Sequence, residues 1–277
     1  MRLFATKIKR GRNVGMIISF GNFKGGVGKT TTTSVFGYIL SELKGYDVLL
    51  VDTDQQGDLT DEVENTFQVQ IDRSKNLFNA CFESENVTDQ VQTVSSHLDV
   101  LAGSTKMRSF SDTIQEAYPR KSQKEFHRLV LKETLKEVKN SYDFVLLDTN
   151  PAVDLLTENV LSASDYLLIP TKSLARDSED TKIFYNYLID ESERNTFEVL
   201  GIVAYLVEDS ATDRKIINSY KDLFERELFE NIIKNSAVVK RWSHEGITLD
   251  RAYDQRTMSM YEKVVDEALS YLPKEEA

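Results

Sequence analysis

The chain has 277 residues, 40% of them hydrophobic and 29% charged, an ordinary globular composition able to bury a substantial core. A formal net charge of −11 excludes a generally basic nucleic-acid coat, so any DNA contact must come from local patches. The single cysteine, Cys81, excludes an internal disulfide or a cysteine-held cluster within one chain and fits a reducing cytoplasm, and His97, His127 and His244 lack the spacing of zinc ligands.

In chain order, Met1–Gly15 comes first. It carries Arg2, Lys7, Lys9, Arg10 and Arg12 and no acid, and it lacks the apolar core and small-residue cleavage site of a signal peptide. It reads as a short basic tail before one domain spanning residues 16–277. No later stretch approaches the roughly 18 uninterrupted apolar residues of a membrane span. A soluble, cytoplasmic protein with no membrane partner is the expectation.

Apolar runs rich in β-branched residues then recur: Met16–Phe20, Val48–Val51, Val100–Leu101, Phe144–Leu147, Tyr166–Ile169 and Val199–Leu206. Unbroken runs of this kind suit strands buried on both faces of a parallel sheet. Between them, Thr30–Leu43, Lys124–Val138, Val153–Leu161, Asp177–Leu188 and Ile216–Leu228 return apolar residues at three- and four-residue steps, and a final helix is expected from Met258 to Leu272. The alternation predicts an α/β fold: a doubly wound, mainly parallel sheet with helices on both faces. Such sheets bind ligands beyond the carboxyl ends of their strands.

The first strand runs into Gly21-Asn-Phe-Lys24-Gly25-Gly26-Val27-Gly28-Lys29-Thr30-Thr31 and then a helix, the context a P-loop requires. Glycines let backbone N–H groups curl around phosphates, and the helix N-terminus adds its positive dipole end. Lys29 can span the β- and γ-phosphates and Thr30 can bind Mg²⁺. The candidate nucleotide-binding set is therefore Gly25, Gly26, Val27, Gly28, Lys29, Thr30 and Thr31. A dinucleotide fingerprint fits less well: Thr31 stands where its third glycine belongs, and the Lys29-Thr30 pair has no role there. ATP or GTP is favoured over NAD. Phe23 occupies the position of the first glycine in the strict P-loop pattern, and Lys24 is an added lysine at the front of the loop.

After the second strand comes Asp52-Thr53-Asp54-Gln55-Gln56-Gly57, with two acids at the strand end where a γ-phosphate lies in this architecture. The fourth run ends in Asp148 before Thr149-Asn150-Pro151. With a P-loop already placed, an acid capping four apolar residues is a Walker B arrangement, and Asp148 would hold Mg²⁺ through water.

These motifs resemble the ParA/MinD class of deviant Walker A ATPases, and specifically ParA-type DNA-partitioning ATPases. The likeness runs from Lys24–Thr31 through Asp52–Gly57 and Asp148–Pro151 to Asp165-Tyr-Leu-Leu-Ile-Pro170. The late segments Asn231–Thr248 and Ser259-Met-Tyr-Glu262 look like those of the small delta-type ParA proteins of Gram-positive plasmids. The resemblance implies ATP as the nucleotide. It makes Lys24 an in-trans charge stabiliser, Asp54 the residue that positions attacking water, and Asp52 a support of the Mg²⁺ shell. Gln55 departs from the proline usual in the Asp54 motif.

The same resemblance implies an ATP-bound homodimer that holds DNA without sequence preference. A small centromere-binding, ParB-like partner would stimulate hydrolysis and release, leaving the protein on the nucleoid when ATP-bound. Lys234 matches a basic position that the family uses on DNA. Lys240 and Arg241 join it by charge alone, since Asn231–Trp242 holds three cations and no acid. Trp242 reads as core. Two other readings stay open: a nucleotide-gated adaptor or repressor with little turnover, which Gln55 favours, and a MinD-like positioning ATPase, which needs a basic amphipathic C-terminal helix that the acidic end after Tyr261 does not offer.

Overall fold

The computed structural model describes residues 15–84, 86–120, 124–172, 175–208, 210–224 and 227–273. All of the expected basic tail except Gly15 lies outside them.

The described elements follow in the order β1 (Met16–Phe20), α1 (Lys29–Tyr38), β2 (Val48–Asp52), α2 (Asp58–Phe67), α3 (Leu77–Phe82), β3 (Gln92–Thr93), β4 (Leu98–Leu101) and α4 (Phe110–Ala117). They continue with α5 (Val130–Lys139), β5 (Phe144–Asp148), α6 (Leu155–Ala163), β6 (Tyr166–Lys172), α7 (Ala175–Ser192) and β7 (Glu198–Val207). The last are α8 (Ala211–Phe224), β8 (Ile233–Lys234), α9 (Ala237–Glu245) and α10 (Ala252–Tyr271). The sheet order is β3-β4-β2-β5-β1-β6-β7-β8. Only the short edge pair β3–β4 is antiparallel among the described strands. The expected doubly wound α/β fold is what the chain adopts.

Successive strand residues face opposite layers, as a pleated sheet requires. Ile18, Phe20, Leu50, Val100 and Leu146 face a core that includes Val35 and Phe36 of α1, Val239 and Trp242 of α9, and Val264 and Val265 of α10. Ile17, Leu49, Val51, Val145 and Leu147 face the other side, against Leu77 of α3, Phe110 of α4, Leu131 and Leu135 of α5, and Val160 of α6. Leu167, Ile169 and Ile202 meet Phe184 and Leu188 of α7 and Tyr220 of α8. Trp242 is buried, as expected.

All the expected strands form, with small extensions. The helices differ more at their ends. Asp154 caps α6, its Oδ1 accepting from Thr157 N at 2.9 Å, so that helix begins at Leu155 and not at Val153. The helix expected to end at Leu228 stops at Phe224, because Phe229 N bonds Ile202 O at 2.9 Å and Leu228 bridges to Ile202 of β7. The helix expected from Lys124 starts at Val130, after a single tight turn over Phe126–Arg128. The final turn of the first helix, Ile39–Leu43, is wound more widely, with Lys44 N reaching Ile39 O at 2.9 Å.

Strand β1 lies in the middle of the sheet between β5 and β6. The loop after it, the acid ending β2 and the acid ending β5 therefore emerge side by side at the carboxyl ends of adjacent parallel strands.

Candidate functional site

The loop after β1 is fixed to β6 before it reaches the helix. Gly21 N bonds Leu168 O at 3.1 Å, and Asn22 Nδ2 bonds Pro170 O at 2.9 Å. Asn22 Oδ1 accepts from Lys24 N at 3.0 Å, which starts the turn. Phe23 then packs edge-on against Phe184 of α7, ring centres 4.7 Å apart, and against Tyr187 at 5.1 Å. An aromatic at the place of the first P-loop glycine thus wedges the loop against α7. Gly26 and Gly28 turn it through left-handed conformations, φ 71° and 90°. At Gly28 a Cβ would also lie 2.3 Å from the Tyr205 ring.

Lys29 points back into the loop. Its Nζ donates to Asn22 O at 3.1 Å and Lys24 O at 3.0 Å, so the ammonium sits inside the ring of backbone that phosphates would occupy. Burial holds it below the ordinary lysine range, against the pull of Asp148 and Asp54. Thr30 Oγ1 donates to Asp148 Oδ2 at 2.7 Å.

Asp52 and Asp148 are direct neighbours on β2 and β5. Asp52 is fully occupied: Oδ1 accepts from Asp54 N at 3.1 Å, and Oδ2 accepts from Thr60 N at 3.0 Å and Thr60 Oγ1 at 2.6 Å. Burial pushes its carboxyl up to about 6, although the Thr60 and Asp54 hydrogen bonds oppose this. It therefore braces the loop that carries Asp54. Asp148 differs. Its Oδ1 is buried with no hydrogen-bond partner, and burial, followed by the charge of Asp52, raises it well above the usual carboxylate range. A buried carboxylate oxygen without a donor, beside a threonine hydroxyl, matches the oxygen donor set of a hard divalent cation.

Asp54 stands free of that pair and faces the cleft, its Oδ1 accepting from Gln56 N at 3.0 Å. Gly57 N bonds Asp54 O at 3.3 Å, so the turn closes with Gln55 exposed in it. Gly25, Gly26, Gly28, Lys29, Thr30, Thr31 and Asp54 line one cleft of about 650 Å³. Val27 is buried beneath it. Lys24 does not line it: Nζ lies 3.3 Å from Asp180 Oδ2 on α7.

The three cations expected on a DNA face are disposed differently from one another. Lys234 is exposed on the short strand β8. Lys240 is exposed on α9 and lines the rim of the loop's own cleft, with Ser243 and His244. Arg241 turns inward. It pairs with the buried Asp254, with Thr248 Oγ1 at 3.3 Å and with Glu245 Oε2 at 3.9 Å, which removes it from a shared basic surface.

Several residues in and around the cleft escaped the reading of the sequence. Thr60 and Glu62 come from α2, whose apolar residues Leu59, Val63 and Phe67 after Gly57 were a legible four-residue repeat. Gly103, where a Cβ would lie 2.8 Å from the Asp52 carboxyl, and Tyr205 under Gly28 had no local signal.

A family model described as AAA domain matches residues 15–199. The chain is 28% identical over 224 residues to the sporulation initiation inhibitor protein Soj of Bacillus subtilis, covering 79% of this chain and 84% of that protein. It is 26% identical over 263 residues to the chromosome-partitioning ATPase Soj of Treponema pallidum, covering 93% and 98%. The ATP complex of McdA from Cyanothece superposes with a TM-score of 0.79 at 20% identity, over 95% of this chain and 99% of that one.

Proposed function

This chain belongs to the AAA domain family as a ParA-type partitioning ATPase, and on that premise we propose that it is an Mg-ATP-dependent switch that positions DNA. The part from Met16 onward acts as the ATPase domain, preceded by the basic tail. The observation that carries the proposal is the pairing of a lysine ammonium inside the glycine loop with the donor-free Oδ1 of Asp148, beside the Thr30 hydroxyl. The first suits a polyphosphate and the second its cation.

Bound Mg-ATP supplies the phosphoryl group that water attacks and the cation that spreads its charge. The backbone N–H groups of Gly25 to Thr31 grip the phosphates, and Lys29 exchanges its two carbonyl partners for phosphate oxygens. Thr30 and Asp148 would hold Mg²⁺, with Asp52 behind them bracing the Asp54 turn. Asp54 orients the attacking water and accepts its proton. Lys24, directed away from its own cleft, reaches the nucleotide of a second copy and stabilises transition-state charge there. ATP binding thereby forms a homodimer.

The dimer then holds DNA non-specifically through phosphate contacts, with Lys234 as the leading contact and Lys240 at the cleft rim. A small ParB-like partner stimulates hydrolysis, and the protein cycles between nucleoid and cytoplasm. The compact Asp54 turn supports turnover over a non-hydrolysing adaptor, because Gln55 stands outside the cleft-facing geometry.

Equilibrium dialysis with ATP, followed by sedimentation of wild type and Lys24→Ala, tests this. The expected result is Mg²⁺-dependent ATP binding by both proteins and an ATP-dependent dimer weakened in the variant. A wild-type chain that binds no ATP, or an equally stable Lys24→Ala dimer, contradicts it.

A further inference from the structure

Helix α2 carries a carboxylate with no part in the cycle above. Glu62 is 6% exposed, lines the same cleft as Lys29, and accepts a hydrogen bond from Thr31 Oγ1 at 3.0 Å. Ser34 of α1 supplies a second hydroxyl. The buried phenols Tyr205 of β7 and Tyr261 of α10 also lie within its electrostatic reach.

The acids that act on it are Asp58 on its own helix, Asp52 at the end of β2 and Asp148 at the end of β5. Lys29 answers first to Asp148 and Asp54, while Lys172, Lys240 and His244 line the same cleft with no ion pair to Glu62 among the described residues. Glu62 is thus a buried acid among hydroxyls, phenols and other acids. Burial pushes its carboxyl up to about 8, with the Thr31 and Ser34 hydrogen bonds opposing.

A nucleoside triphosphate would add net negative charge to this same space, since one divalent cation neutralises only part of the charge of its phosphates. An ionised Glu62 would then meet phosphate across a buried gap, where like charges interact strongly. A protonated Glu62 keeps one oxygen for the Thr31 hydroxyl and adds no charge. We propose that Glu62 is a positioning residue that retains its proton while a nucleoside triphosphate fills the cleft: it anchors Thr31 at the phosphate end, and nucleotide binding draws in a proton and weakens as pH rises. The inference rests on reading the cleft as the nucleotide site.

The test is titration calorimetry of full-length protein with a non-hydrolysable ATP analogue from pH 7.5 to 9, in two buffers of different ionisation enthalpy. In that range the phosphates are themselves fully ionised. Wild type should take up a proton on binding and lose about tenfold in affinity across the range, as expected for one group titrating near its middle. Glu62→Gln keeps an acceptor for Thr31 but carries no titrating proton. It should bind as wild type does at pH 7.5 while losing most of the proton uptake and of the slope, leaving only what Lys29, Asp52 and Asp148 contribute. Equal uptake and slope in the two proteins overturn the proposal, as does a variant that no longer binds at pH 7.5. Flat wild-type affinity without proton uptake overturns it as well, whether or not the variant folds. Wild type that binds the analogue at no pH overturns the nucleotide reading itself, and this inference with it.

Discussion

Lys24 Nζ lies 3.3 Å from Asp180 Oδ2 on α7, whereas Lys29, five residues on in the same loop, turns inward to Asn22 O and Lys24 O. Two lysines of one glycine loop thus face opposite ways. The Phe23 ring, seated on Phe184 and Tyr187, fixes the loop against α7 and sets that divergence. A lysine that serves a second copy must leave the acid that holds it in its own.

Asp180→Asn should therefore ease dimerisation. The pair is about one-third exposed on each side, so its loss changes stability by no more than about 1 kcal/mol, or up to about fivefold in an equilibrium. Two such pairs open per dimer, so the predicted outcome is an ATP-dependent dimer that forms at up to about 25-fold lower protein concentration in sedimentation. Weaker dimerisation would show that Asp180 supports Lys24 and does not restrain it.

Lys29→Ala removes the cation from the loop interior. Charge-assisted hydrogen bonds to phosphate are worth about 1.5–3 kcal/mol each, so ATP affinity should fall by about a hundredfold or more in equilibrium dialysis. Retained affinity would contradict the placement of the phosphates.

Asp54→Ala should leave ATP affinity within a few-fold of wild type and slow hydrolysis by about a hundredfold, the usual scale for a positioned general base. The dimer should persist longer, since release follows hydrolysis. Phosphate release at the wild-type rate would remove Asp54 from the chemistry.

Glu62 also makes a stability prediction. Its folded carboxyl titrates near 8 against an ordinary 4.5, so between those values the folded chain holds a proton that the unfolded chain has lost. Stability then falls as pH rises from about 4.5 to about 8, and the burden is absent below the lower value. Glu62→Gln should be more stable than wild type at pH 7 by about 1–3 kcal/mol, with the gap closing by pH 4.5. Thermal melts with a gap that does not change with pH would contradict the assignment.

The P-loop, the two acids and the sheet that carries them were legible because each is local. A strand run, a glycine turn and an acid at a strand end need no distant partner to be recognised. Asp148 stood out from the run Phe144–Leu147 once the glycine loop was placed. Arg241 could not be placed in this way, because its partner Asp254 sits on the next helix and charge counting along Asn231–Trp242 does not see it. Thr60 and Glu62 were missed for a related reason. Helix α2 buries Leu59 and Val63, yet beside them it meets α1 and the sheet end with a threonine and a glutamate. Burial of polar groups is a tertiary property, and apolar periodicity does not report it. Tyr205 beneath Gly28 and Gly103 against Asp52 are likewise contacts between segments far apart in sequence.

The most direct test of the central claim is DNA retardation by the purified chain with ATP, ADP or no nucleotide, at low and high salt, beside Lys234→Ala. The account predicts retardation with ATP alone, weakened by salt and by the substitution. DNA binding that ignores the nucleotide, or none under ATP, would contradict a partitioning switch and leave a P-loop ATPase that acts on something else.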